Sequence, residues 1–128
     1  MISNHKFSLE NFWVDSFELK PTDEPTKTGQ QFFMNATSNV YYSEKNKKDY
    51  KLSLSIELHK DKQFIFKACQ MALVSFEDEI SLEQAKESIS TVGSAQLLYP
   101  YLRAFTIATL KLSGYDKINI PVLMFEEK

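Results

Sequence analysis

The chain has 128 residues, with 15 lysines and arginines against 17 aspartates and glutamates, for a net charge of -2. That length suits a single domain over 1–128 with one core. The near-balanced charge gives no global field for nucleic acid or an anionic membrane, and the only arginine, Arg103, leaves nothing for repeated bidentate phosphate or base contacts.

No apolar run approaches the roughly 20 residues that a membrane-spanning helix needs. Met1–Lys6 lacks the apolar stretch of a secretory signal. The one cysteine, Cys69, has no internal partner, which fits a reducing compartment. A cytoplasmic protein is expected. Ten Phe, six Tyr and one Trp are a large aromatic load for a chain of this size. Each buries about 150–250 Å² when packed, so some are expected on a surface that a partner covers.

A first strand is predicted over Phe7–Leu19. Its apolar phase slips twice, from Phe7 and Leu9 to Phe12 and Val14 and then to Phe17 and Leu19, so a bulge is expected at each slip. Pro21, Pro25 and Gly29 mark a long connection. The second strand carries Phe32, Met34, Ala36, Val40 and Tyr42 in alternation. A polar turn over 44–49 joins it to Tyr50–Leu58, a period-two strand with one apolar and one polar face. His59–Lys62 is read as a tight turn.

The fourth strand, Phe64–Phe76, is apolar on both faces. Phe64, Phe66, Ala68, Ala72, Val74 and Phe76 form one face, and Ile65, Cys69, Met71 and Leu73 the other. Helices on one side leave the second face to another subunit.

The period then changes to 3.6. Ser81 and Gln84 read as a capping box for a short helix to about Ser90. A longer helix is predicted from Ser94 to Ser113, with Leu97, Tyr101, Phe105, Ala108 and Leu112 on one side and Leu98, Leu102 and Leu110 widening the stripe. Gly114 suits a left-handed C′ position, and Pro100 predicts a kink unless the regular helix starts there. The tail, Ile118–Phe125, is extended and apolar.

Signals for chemistry are sparse. His5 and His59 have no ligand-spaced neighbours and are read as exposed polar residues. Cys69 lies in an apolar strand and is read as a packed thiol. Asp78, Glu79, Glu83 and Glu87 are read as a solvated helix start, and three glycines make no phosphate-cradling loop. Asp15, between Trp13, Val14 and Phe17, is either a carboxyl raised by burial or a residue turned outward by the slipped phase. Lys45, Lys47, Lys48 and Lys51 form a basic turn that is either solvated or a docking spot for acidic segments. The adjacent pairs Phe32-Phe33 and Tyr41-Tyr42 must each send one ring to the far face of their strand. These rings are either covered by the 21–31 connection or line an apolar groove for unfolded chain.

The segment Leu98-Tyr99-Pro100-Tyr101-Leu102-Arg103, followed by Leu112, Gly114 and Ile118-Asn119-Ile120-Pro121-Val122-Leu123-Met124-Phe125, resembles the long helix and exit segment of the SecB family of export chaperones. That family carries a (Phe/Tyr)-Pro-Tyr-x-Arg core in its helix. The Phe7–Pro21 and Phe64–Phe76 stretches are similar to the family's first and fourth strands. The resemblance implies an α+β fold, with a four-stranded antiparallel sheet and C-terminal helices on one face. It implies a homo-tetramer built as a dimer of dimers, and an ATP-independent holdase that needs no cofactor and keeps polypeptides unfolded.

Expected client contacts are Phe33, Tyr41, Tyr42 and Phe105; expected subunit contacts are Ile65, Cys69, Met71 and Leu73. Arg103 is expected to hold carbonyls or a carboxylate rather than a client. In the family, outer-sheet acids dock the translocase motor. Glu18 fits one such position, but Lys67 stands where another acid is expected. The sequence ends at Lys128, before the family's last helix and acidic tail, so a shorter groove wall and one motor contact fewer are expected. Two other readings remain open: an adaptor dedicated to one partner such as an antitoxin, and a small-molecule-binding or thioesterase-like α+β domain. The late position of the long helix, with no acid at Ser94, weighs against the second.

Overall fold

The computed structural model describes residues 6–42, 48–92, 94–115, 118 and 120. Four strands come first: β1 (Phe7–Pro21), β2 (Phe32–Tyr42), β3 (Asp49–Lys60) and β4 (Phe64–Phe76). Two helices follow, α1 (Leu82–Val92) and α2 (Ser94–Leu112). The strands form one antiparallel sheet in the order β1-β4-β3-β2, so β1 and β2 are its edges.

Both phase slips in β1 are register shifts. They fall between Leu9 and Asn11 and between Val14 and Ser16. Each extra residue, Glu10 and Asp15, restores the apolar phase. Phe7, Leu9, Phe12, Val14, Phe17 and Leu19 therefore pair with Phe76, Val74, Ala72, Gln70, Ala68 and Phe66 on the helix-covered face. Alternation in β3 and β4 buries Tyr50, Leu52, Leu54, Ile56 and Leu58 beside Phe64, Phe66, Ala68, Ala72 and Val74.

The helices lie on that face only, α1 against β2 and α2 against β4 and β3. The capping box is present: Gln84 N donates to Ser81 Oγ at 3.2 Å, and Ser81 N donates to Gln84 Oε1 at 3.0 Å. At the far end of α2, Tyr115 N donates to Leu110 O at 2.8 Å and Gly114 N to Lys111 O at 3.1 Å. Gly114 itself takes φ 100°, which completes the left-handed stop. Helix α2 continues through Pro100 without a break.

Two expectations need correction. His59 is neither exposed nor in a turn. It is buried within β3, and its Nε2 lies 3.0 Å from the Glu24 carbonyl. The 22–31 connection is held against the β3–β4 hairpin there, by Lys62 N to Glu24 O at 3.0 Å and Thr26 N to Asp61 Oδ1 at 2.9 Å.

The stripe of α2 is also offset from the expected one. Leu98, Leu102 and Leu110, expected to widen it, are its core-facing residues, together with Tyr99 and Thr106. The expected centre line turns outward. Tyr101, Ala108 and Leu112 are exposed, and Leu97 and Phe105 are half-buried. Most of the basic turn, and the side chain of Tyr42, lie outside the described residues.

Candidate functional site: an aromatic ridge and a bare sheet face

The position of α2 over β4 and β3 leaves the β1 margin of the covered face open along one side. The outward stripe of α2 meets the apolar side chains of β1 there. Phe12 and Tyr101 stack with ring centroids 4.4 Å apart, tilted 32°. Phe17 and Phe105 meet edge to face at 5.2 Å and 72°. These rings are not sealed: Phe12 is 41% exposed, Tyr101 47% and Phe17 57%. Leu112, at 89%, extends the stripe to the helix end. Aromatic pairs of this kind contribute about 0.5–1.5 kcal/mol beyond their buried area, so they hold each other in place while still showing ring surface to solvent.

The chain behind the ridge is fixed. Arg103 Nε donates to the Ile120 carbonyl at 2.9 Å, the structural role expected for it, and Ile120 is buried in the core. Tyr99 is buried beside it. Burial pushes its hydroxyl above the ordinary tyrosine value, with the Arg103 charge opposing the shift.

Among the described residues, no helix lies on the opposite face of the sheet. Cross-strand rows run over it: Trp13–Met71–Ser53–Asn39, then Ser16–Cys69–Ser55–Thr37, then Glu18–Lys67–Glu57–Asn35. The middle row is made of small side chains. It and the charged row line a shallow depression of about 430 Å³. The Glu18 carboxylate lies 2.8 Å from Lys20 Nζ. That hydrogen bond and charge hold Glu18 below the usual carboxylate range, with a smaller push from Lys67, and raise Lys20 in turn. Glu18 is therefore bracketed by two lysines rather than set in an acidic field.

The expected subunit contacts, Ile65, Cys69, Met71 and Leu73, all lie half-buried on this bare face, with Lys67 interrupting them. Cys69 is a free thiol whose Sγ lies 4.0 Å from Met71 Sδ. The four expected client contacts do not form one groove. Phe105 joins the ridge on the helix side. Phe33 and Tyr41 lie on the bare face, near opposite ends of β2, and Tyr42 pairs through its backbone with Tyr50. Asp15 is exposed at the second bulge and accepts from Trp13 Nε1 at 3.4 Å, so the slipped phase does turn it outward. The carboxylates at the start of α1 are exposed. Among the described residues no group of three or more His, Cys, Asp and Glu could hold a metal ion, and no helix is long and apolar enough to cross a membrane.

Phe12, Phe17 and Tyr101 were not singled out from sequence, because each fits the apolar phase of its own element. The available signal was that Leu97, Tyr101 and Phe105 repeat every four residues beside a second, separate leucine stripe.

No protein-family profile and no curated protein matches the chain. Solved structures share its fold, among them the following two. The Mycobacterium tuberculosis SecB-like chaperone Rv1957, solved in complex with a ChAD peptide from the antitoxin Rv1956 HigA1, superposes with a TM-score of 0.73 at 13% identity. The match covers 92% of this chain and 90% of that one. A protein of unknown function from Streptococcus agalactiae gives 0.56 at 9% identity, over 95% and 100% of the two chains. The four-stranded antiparallel sheet with two helices is thus a SecB-like fold.

Proposed function

We propose that this chain is an ATP-independent, SecB-like polypeptide-binding chaperone rather than an enzyme. On this reading it holds unfolded segments against the ridge of Phe12, Tyr101, Phe17 and Phe105. The observation that carries it is the open ridge itself: rings pre-packed in pairs and partly exposed. An unfolded segment offers apolar side chains without fixed geometry. Burying them gains about 25 cal/mol per Å² before ordering costs, and a preset ridge lowers the chaperone's share of those costs.

The protein added at stoichiometric ratio to a thermally unfolding client, such as citrate synthase, is expected to suppress light scattering without nucleotide. Unchanged scattering for several unrelated clients would remove the proposal.

A second reading, service to one dedicated partner, is favoured by the neighbour that was solved with an antitoxin peptide. Suppression confined to one client would select it. Assembly as a cytoplasmic dimer of dimers through Ile65, Cys69, Met71 and Leu73 fits their common placement on the uncovered face. Transfer of clients to the translocase motor through Glu18 has weaker support, because Lys20 and Lys67 neutralise that position.

A further inference from the structure

The two edges of the sheet are built differently. β1 carries two bulges, four charged residues (Glu10, Asp15, Glu18 and Lys20) and a terminal proline, Pro21. These are the devices that stop an edge strand from pairing with another chain. β2 has none of them: eleven residues, Phe-Phe-Met-Asn-Ala-Thr-Ser-Asn-Val-Tyr-Tyr, with no charge, no proline and an unbroken register against β3.

The hydrogen-bonding phase of this edge is fixed by its surroundings. Asp61 N donates to the Gln31 carbonyl at 2.9 Å, at the pair just before Phe32 and Lys60. Bonded and non-bonded pairs alternate along an antiparallel ladder. The pairs Phe33–His59, Asn35–Glu57, Thr37–Ser55, Asn39–Ser53 and Tyr41–Lys51 are therefore the ones that exchange bonds. At the other end of β3, Phe76 N donates to Lys48 O at 2.8 Å, which assigns the even-numbered residues of β3 to β4 and agrees with this phase. Phe32, Met34, Ala36 and Val40 consequently direct N–H and C=O groups away from the sheet. No described strand pairs with that side.

We propose that the open side of β2 accepts an extended, uncharged stretch of polypeptide as a fifth strand. Groups repeating every second residue match only another extended backbone, and the absence of charge along β2 selects a partner without a charged pattern to answer. Alternate side chains of the added strand fall beside Met34, Ala36 and Val40 on the helix side, and beside Asn35, Thr37, Asn39 and the flanking Phe33 and Tyr41 on the bare face. Main-chain bonds would supply affinity independent of client sequence. The inference rests on the polypeptide-binding reading and adds a second, separate place of contact.

The test is residue-resolved amide exchange of the full chain, with and without reduced, carboxymethylated α-lactalbumin as a permanently unfolded probe. The amides of Met34, Ala36 and Val40 are expected to slow by about tenfold or more, while those of Asn35, Thr37 and Asn39, already bonded to β3, stay unchanged. Ala36→Pro removes only an outward N–H and should weaken probe binding by about tenfold. Val40→Pro gives the same readout should the first variant misfold. A probe that is held while these amides exchange as before would overturn strand addition and leave the holdase reading standing. Slowing that appears on concentrating the protein without probe would assign the edge to a second copy instead. A probe that is not held at all removes both.

Discussion

Helix α2 carries two apolar stripes, and the contrast between them explains more than either alone. Leu98, Leu102 and Leu110 press on the sheet and are fully buried. Leu97, Tyr101, Phe105, Ala108 and Leu112 have equally regular helical spacing, yet Tyr101 and Phe105 meet rings of β1 and the stripe stays partly or wholly exposed. Amphipathic periodicity marks a face that avoids water. It does not state whether the same chain or another one covers that face. A helix that is apolar over more than half its circumference has more such surface than one sheet can bury.

The contrast can be broken by mutation. Leu102→Ala leaves a cavity under the helix and should cost about 2–5 kcal/mol in denaturant unfolding, with client holding intact below the transition. The double variant Phe17→Ser and Tyr101→Ser should do the reverse. It should melt within a few degrees of the parent, because both rings are about half exposed, but lose most of its suppression of aggregation. A large stability loss with normal holding would mean that the outward stripe is core after all.

The sheet repeats the theme on its bare face. Met71→Glu places a charge among the half-buried residues of β4 and should lower the mass seen by light scattering if that face joins subunits. An unchanged assembly would assign the face to something else.

The smallest expected effect sits on the buried stripe, at Tyr99. Burial raises its hydroxyl above the ordinary value of about 10. Its stabilising contribution is therefore complete below that value and is lost as pH rises through it toward the raised one. Tyr99→Phe should flatten the fall in melting temperature above about pH 10 and change little at pH 7. An identical alkaline fall in both proteins would show that Tyr99 ionisation does not drive it.

Much of the fold was legible in sequence, because it was written in local periodicity. The two bulges of β1 follow from the slips after Leu9 and Val14, and the start of α1 and the end of α2 follow from Ser81, Gln84 and Gly114. The SecB-like resemblance, carried by Tyr99-Pro100-Tyr101 and Arg103, matches the observed architecture. The site was less legible. Phe105, expected as a client contact, lies on the ridge, but its neighbours Phe12, Phe17 and Tyr101 come together only when α2 is laid across the sheet at one particular offset. Phe33 and Tyr41 were grouped with Phe105 by residue type, and the register sends them to the other face. His59 looked like a turn residue because its neighbours are polar. Its burial comes from the 22–31 connection, a contact across 35 residues.

The central claim is that the outward stripe of α2 receives unfolded chain. A photo-crosslinking residue in place of Tyr101, illuminated in the presence of reduced, carboxymethylated α-lactalbumin, tests it most directly. The same residue in place of Lys86, exposed on α1, serves as reference. The account predicts strong adducts from position 101 and background from position 86; equal background from both would contradict it.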